Sequence, residues 1–315
     1  MEVSVNKRLM LTILFLSFSV SLFSQVNPDT LPEKYVKKVI IDAKWGNGLG
    51  EFGINLNSDP ITAPGGISID KNGDIYIVDM ANHRIQHFDR NGKLSNIFKI
   101  SAYPHIFGVI NGIIYCGSAI TDTLMIINSR LNTRIFTKID IPVERNSVIS
   151  GLVENGKLVI LQPILQNNSV EERKWILSKI NGSTAEFVKS RQRLSKSSKH
   201  DYDVEIKNIG RIKIKEGSKA YAVDKKGNNY YTEYISQGAQ RFFIIIKVSK
   251  KGKILSIIEL RKENTITSDG MVQNPVITSS GDIYYLYPTG ELKIENWKKK
   301  FIPGKVQVIK WELQK

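Results

Sequence analysis

Ala63–Phe98 reads APGGISIDKNGDIYIVDMANHRIQHFDRNGKLSNIF, and its spacing decides the fold. Ile67 and Ile69 alternate with small or polar neighbours, and so do Ile75 and Ile77. That period of two is the mark of a half-buried strand. Between the pairs lies Asp70-Lys71-Asn72-Gly73-Asp74. Glycine supplies a positive φ there, and Asn and Asp tolerate it, so the segment predicts a hairpin turn. Asp79–His83 predicts a second turn, Arg84–Phe88 a third strand, Asp89–Gly92 a third turn and Leu94–Ile97 an outer strand. Four antiparallel strands in about 35 residues is the size of one propeller blade.

Weaker copies of the strand–turn–strand core follow at Val109–Ser118, Leu152–Leu161, Tyr221–Tyr231 and Val276–Leu286. The turn glycines are Gly73, Gly112, Gly156, Gly227 and Gly281. The 71-residue step between Gly156 and Gly227 is too long for one ordinary blade and predicts a degenerate blade or an insertion. Six blades is the leading count and five the alternative. Tyr35–Ile41 and Lys305–Leu313 are strand-like segments near the two ends, suited to close one blade from both termini. No segment keeps a helical period. Residues 25–315 therefore read as one all-β propeller domain.

The stretch from Gly46, GNGLGEFG followed by APGGISIDKNGDIYIVDMANHRIQHFDRNGKL, resembles an NHL repeat of the NHL-type β-propellers. The resemblance is specific over Gly46–Phe98 and faint over the other cores. It implies a six-bladed propeller. It does not choose a function, because such propellers include enzymes, sensor domains and binding scaffolds. It implies a structural role for the repeat motif Gly66, Asp70, Gly73, Asp79, Asn82, His83 and Arg84. Asp79, Asn82, His83 and Arg84 are expected to shape the turn between the second and third strands.

Residues 1–24 differ from the rest. Lys7 and Arg8 precede the uncharged apolar run Leu9–Phe23, and polar residues return at Gln25. The run is shorter than the roughly 20 residues of a membrane span, and the layout is that of a secretory signal peptide. The expected compartment is periplasmic or extracellular, with an uncleaved membrane anchor as the alternative. No later run is long enough to span a bilayer; Phe242–Val248 (FFIIIKV) is strand-sized.

The chain has 315 residues, 45 Lys+Arg against 30 Asp+Glu, and a formal charge of +15. Residues 1–24 hold Lys7, Arg8 and Glu2, so their removal takes +15 to +14 and the basicity stays with the folded part. Cys116 is the single cysteine, which excludes an intrachain disulfide framework and a cysteine-only zinc site. Between Lys189 and Lys226 there are 12 Lys/Arg and five acids. Within it, KSRQRLSKSSKH reads as an exposed loop, whose Lys189, Arg191, Arg193, Lys196 and Lys199 are candidate binding residues. Lys247–Lys253 and Lys298–Lys315 add four and six lysines. Such fields attract polyanions. An anionic polysaccharide, a lipid headgroup or a protein partner suits an exported chain. Export, and the lack of an RNP-like aromatic pattern, argue against nucleic acid.

Tyrosines crowd two cores, at Tyr230, Tyr231 and Tyr234 and at Tyr284, Tyr285 and Tyr287; packing between blades is the leading role and ligand contact the alternative. No catalytic signature such as G-x-S-x-G is present. His83 and His87 lie too far apart along a strand, about 13 Å, to share an ion. Asp70, Asp79, Asp224 and Asp282 sit at core turns, where their neighbours favour a turn role over calcium binding. The leading expectation is an exported, non-enzymatic binding module with no cofactor. The alternative is a metal-dependent, lactonase-like hydrolase or lyase holding calcium or zinc in the channel.

Overall fold

The computed structural model describes residues 28–314 except 59–60, 101–103, 105, 119–122, 132, 142–149, 155–156, 167–168, 182–183, 190–201, 207–209, 215–219, 238–239, 263–274 and 296–297. The expected signal peptide and Arg191, Arg193, Lys196 and Lys199 lie outside these residues. Among the described residues the only helix is the short 3-10 turn Pro28–Thr30, and no helix is long and apolar enough to cross a membrane.

β1 (Tyr35–Ala43) is followed by the repeat segment, which forms β2 (Ile67–Ile69), β3 (Ile75–Asp79), β4 (Arg84–Phe88) and β5 (Leu94–Lys99) in one antiparallel sheet. These are the strands that the alternation predicts. Two further meanders follow. The first is β6 (Ile106–Ile110), β7 (Ile113–Ser118), β8 (Thr123–Asn128) and β9 (Thr133–Asp140). The second is β10 (Ser150–Glu154), β11 (Lys157–Gln166), β12 (Ser169–Asn181) and β13 (Thr184–Lys189). Short parallel pairings, β10 on β6 and β13 on β9, join them at both edges.

The long interval after Gly156 contains the strand pair β14 (Tyr202–Ile206) and β15 (Gly210–Ile214), so it holds a reduced unit. Then come β16 (Ala222–Val223), β17 (Asn229–Gln237), β18 (Gln240–Val248) and β19 (Ile254–Lys262). The last sheet has β20 (Val276–Ile277), β21 (Ile283–Glu295) and β22 (Lys298–Leu313), and takes β1 as its outer strand. The register of β1 on β22 runs from Tyr35↔Leu313 to Ala43↔Val306, closing one sheet from both ends of the chain.

Apolar clusters lie between consecutive sheets. Tyr76, Val78 and Phe98 meet Phe107, Ile114 and Ile127. Ile106 and Leu124 meet Leu158 and Trp175. Ile212 and Ile214 meet Ile244 and Ile246. Tyr230 and Phe243 meet Tyr285 and Ile309. Leu286 and Val308 meet Ile75 and Phe88, which returns the last sheet to the first. Sheets stacked face to face in chain order, with the last returned to the first, make a β-propeller. The tyrosine alternation holds: Tyr284 lies in the cluster toward the first sheet, Tyr285 in the cluster toward the preceding one.

One turn recurs five times among the described residues. It begins at Asp70, Asp89, Asp224, Ser249 and Thr278, and three residues later sits a glycine with φ of 81–89° (Gly73, Gly92, Gly227, Gly252 and Gly281). In each, the glycine N–H donates to the first carbonyl, and the first N–H donates to the fifth carbonyl. The first side chain accepts the fifth amide: Asp74 N to Asp70 Oδ1 at 3.0 Å, Asn228 N to Asp224 Oδ1 at 3.0 Å, Lys253 N to Ser249 Oγ at 2.9 Å. Each has a carboxylate or hydroxyl acceptor at the first position and glycine at the fourth. Asn111–Gly112 belongs to another class. Both residues have positive φ, 52° and 79°, which is the two-residue hairpin that Asn-Gly favours.

Candidate functional site

Two buried polar centres stand out among the described residues. The first gathers on Asp79 at the end of β3. Its carboxylate is fully buried. Oδ1 accepts from Gly53 N at 2.9 Å; Oδ2 accepts from Asn82 Nδ2 at 2.9 Å, Arg84 Nε at 2.8 Å and Gln86 Nε2 at 3.3 Å. Arg84 then donates outward to the carbonyls of Asn47, Gly48 and Glu51, at 2.8–3.0 Å. Gln86 donates to Glu51 O and accepts from Gly50 N. These residues therefore do more than shape their own turn. They pin the preceding GNGLGEFG loop to the sheet, which is why both halves of the motif occur in one segment. A Cβ added at Gly53 would lie 2.7–2.8 Å from the Asn82 amide and displace it from its bonds to Gly46 O and Asp79. His83 closes the turn in the left-handed region, at φ 50°. Gly66 O accepts from Val78 N at 2.8 Å.

The second centre lies between the β16–β19 sheet and the last sheet. Lys247 stands in β18 with only 3% of its side chain exposed. Its Nζ donates to Glu33 Oε2 at 2.6 Å and to Tyr35 OH at 3.2 Å, and lies 3.8 Å from Asp224 Oδ2. Tyr230 OH donates to Asp224 Oδ2 at 3.1 Å, and Tyr35 OH donates to Gly281 O at 3.0 Å. The ammonium sits 5.4–5.5 Å from the ring centres of Tyr230 and Tyr35. Burial works against the Lys247 charge, but the bond to Glu33 and the proximity of Tyr35 outweigh it and hold its pKa above the ordinary value. Burial drives the Tyr230 hydroxyl upward, and its bonds and proximity to Tyr35 and Asp224 add to that.

A tyrosine opposite a basic side chain repeats. Tyr76 faces His87, Tyr230 faces Lys247 and Tyr284 faces Lys310 across the second and third strands of three sheets. His87 stacks on Tyr76 at 4.2 Å and its Nε2 lies 3.4 Å from Asp74. Lys310 lies 5.7 Å from the Tyr284 ring centre and 3.3 Å from Asp282. In each copy the tyrosine follows the turn's first residue by six positions, so the signal [DT]-x-x-G-[DN]-x-Y was present in the chain.

Lys247 corrects the reading of Lys247–Lys253 as one surface cluster. Lys250, Lys251 and Lys253 are exposed, whereas Lys247 is buried and paired. The clue was its place in FFIIIKV, because a cation inside an apolar strand needs a buried partner. Lys189 is exposed, as the last residue of β13 rather than part of a loop. The carboxylates considered for an ion are engaged within the chain. Asp70 holds the amides of Asn72 and Asp74, Asp224 those of Lys226 and Asn228, and Asp282 accepts from Ser280 Oγ and pairs with Lys310. Among the described residues there is no group of three or more His, Cys, Asp or Glu placed to hold a metal.

The Asp79–Arg84 centre and the Asp70 turn lie together in one stretch. Residues 62–88 match the NHL repeat. All seven motif residues fall within this NHL repeat. No curated protein matches the chain. Solved structures with similar folds include a luciferin-regenerating enzyme, 12% identical over 88% of this chain and 95% of that one, with a TM-score of 0.44. A member of the DUF4221 family from Bacteroides vulgatus is 10% identical over 90% and 99%, with a TM-score of 0.42. Virginiamycin B lyase from Staphylococcus aureus is 12% identical over 88% and 99%, with a TM-score of 0.35.

Proposed function

We propose that this protein is an exported, six-bladed, non-enzymatic NHL-type propeller that captures an anionic envelope ligand on its basic surface. One observation carries the reading. The four core-turn carboxylates, Asp70, Asp79, Asp224 and Asp282, are each engaged by the chain's own amides or side chains. Carboxylates bound in this way hold turns and seams together, which is scaffold work. The basic residues are disposed differently: Lys189, Lys250, Lys251 and Lys253 face solvent, where they attract anions. The candidate contacts remain Lys189, Arg191, Arg193, Lys196 and Lys199.

Binding to an acidic envelope polysaccharide and to anionic lipid, before and after replacing those five residues by glutamine, tests the location. Binding that survives the replacement removes that location. Thermal unfolding with chelator, then with calcium or zinc, tests the non-enzymatic half of the reading. A native-state ligand at 100 times its Kd adds about 2.7 kcal/mol, enough to raise the midpoint by several degrees. The expected midpoint is unchanged. A clear rise with either ion would favour the metal-dependent hydrolase or lyase instead.

A further inference from the structure

We infer that the arm formed by the distal halves of β21 and β22 docks the protein onto an anionic lipid bilayer. This rests on the anionic-ligand reading above and specifies its source. The pairing of β1 with β22 ends at Ala43↔Val306, and that of β20 with β21 is confined to Ile283 and Tyr284. The β21–β22 ladder continues from Gly290↔Pro303 to Glu295↔Lys298 with no further strand beside it among the described residues. Six residues of strand reach about 20 Å.

Exposure shows that much of this arm faces solvent, with Lys305 paired to Asp42 of β1 and Lys299 Nζ reaching Ser58 O at 3.5 Å. Val306, Val308 and Ile309 are buried, as expected of a strand within a propeller sheet. Glu291, Leu292 and Lys293 are all exposed, and so are Ile302, Pro303, Gly304 and Lys305. Successive side chains of a strand point to opposite faces, so consecutive exposure means that both faces meet solvent. The base of the arm is fixed. Trp45 Nε1 donates to Thr289 O at 2.8 Å, and the Trp45 and Phe301 rings meet edge to face at 5.2 Å. Thr289 Oγ1 also exchanges hydrogen bonds of 2.8 and 2.9 Å with the Lys305 backbone.

The register sorts the arm into two faces. One carries Glu291, Lys293, Lys300 and Ile302, because Lys293 lies opposite Lys300 and Glu291 opposite Ile302. The other carries Leu292, Lys299 and Phe301. Each face thus joins lysine to an exposed aliphatic, Ile302 at 40% and Leu292 at 36%. A folded protein partner would cover one face. An anionic bilayer interface surrounds both, taking the aliphatics among its acyl chains while the lysines reach the headgroups.

The test is flotation of the protein with vesicles of phosphatidylcholine alone or mixed with phosphatidylglycerol. Two arm variants are compared, K293Q/K299Q/K300Q and L292S/I302S, each checked for folding by circular dichroism. The expected result is binding to the mixed vesicles only. Each lysine near an anionic surface is worth about fivefold, so the triple variant loses about a hundredfold, and L292S/I302S also binds more weakly. Equal binding to both vesicles, or wild-type binding by both variants, overturns the proposal. Loss in the lysine variant with none in L292S/I302S also overturns it, because that is a polyanion site with no use for a bilayer. Replacing Lys189, Arg191, Arg193, Lys196 and Lys199 separates the two readings. If only that change abolishes binding, the arm is excluded and the proposed function stands. If only the arm changes abolish it, the arm is supported and the loop location is excluded.

Discussion

Asp79 and Lys247 each hold a buried charge, and the two have different origins. Asp79 was legible in the chain because its partners are near in sequence: Asn82, Arg84 and Gln86 follow within seven residues, and the loop it pins lies just upstream. Lys247 was read as surface because its partner Glu33 is 214 residues away, a distance no local pattern spans. Removing one member of a buried ion pair costs about 3–5 kcal/mol, since the other is left uncompensated. Asp79→Ala should therefore lower stability by about that amount in urea denaturation, and Asp79→Asn by less, because an amide oxygen still accepts some of the donors. The Lys247 pair also predicts a pH dependence. A lysine whose folded pKa is raised adds stability that is complete below its unfolded value near 10.5 and is lost as pH rises through the folded value. Tyr76, pushed up to about 12 by burial, acts in the same direction above its unfolded value of 10.0. Stability should thus show no Lys247 contribution to its pH slope at pH 7–9 and fall beyond about pH 10. Lys247→Met should flatten part of that alkaline fall. An identical pH profile in that variant would remove Lys247 from the account.

Among the elements, the five-residue turn is the unit most directly written in sequence. An acceptor followed three residues later by glycine gives the same backbone in five places, whether the acceptor is Asp, Ser or Thr. Reading Asn-Gly and Asp-x-x-Gly as one signal merged Gly112 with a class to which it does not belong, and passed over Gly252, where Ser249 stands for Asp. Strand identity followed from alternation, as in β2–β5, but how far β21 and β22 run beyond their neighbours did not. Strand propensity tells where a chain extends; it does not tell where a neighbouring strand stops pairing. The turns offer a controlled comparison. Gly73 and Gly92 have nearly equal φ, 87° and 85°, so alanine brings each a similar backbone penalty of about 1–2 kcal/mol. Their surroundings differ. A Cβ on Gly73 meets Arg90 Cβ at 3.4 Å, whereas one on Gly92 would lie 2.0 Å from the Ile40 carbonyl oxygen of β1. Gly92→Ala should therefore destabilise clearly more than Gly73→Ala in matched thermal melts. Equal losses would mean that the turn at Gly92 can withdraw from β1 at no cost.

At the scale of the whole molecule, ring closure falls to the seam that contains β1. Ile41 and Ala43 bury into the cluster shared by the last sheet and the first, Gly92 approaches the Ile40 backbone, and Glu33 and Tyr35 reach across to Lys247 and Tyr230 of the preceding sheet. One terminal strand therefore touches both seams of the closing blade. The strand-like character of both chain ends pointed to this closure, but not to the reach of Glu33, which is set by the packing of sheets rather than by pattern. Because this strand returns the last sheet to the first, damage there should be felt on both sides of it. Ile41→Ala, at 4% exposure, should cost about 2–5 kcal/mol, while Val36→Ala on the exposed side of the same strand should change little. Hydrogen exchange then discriminates between two modes of failure. If closure is cooperative, Ile41→Ala should raise exchange in the most protected amides of the NHL repeat, on β3 and β4, by the same free energy as in β22. If β1 instead detaches as a local unit, the increase will be confined to β1 and β22, and β3 and β4 will keep wild-type protection. The second outcome would show that the other sheets hold the circuit without the strand that closes it.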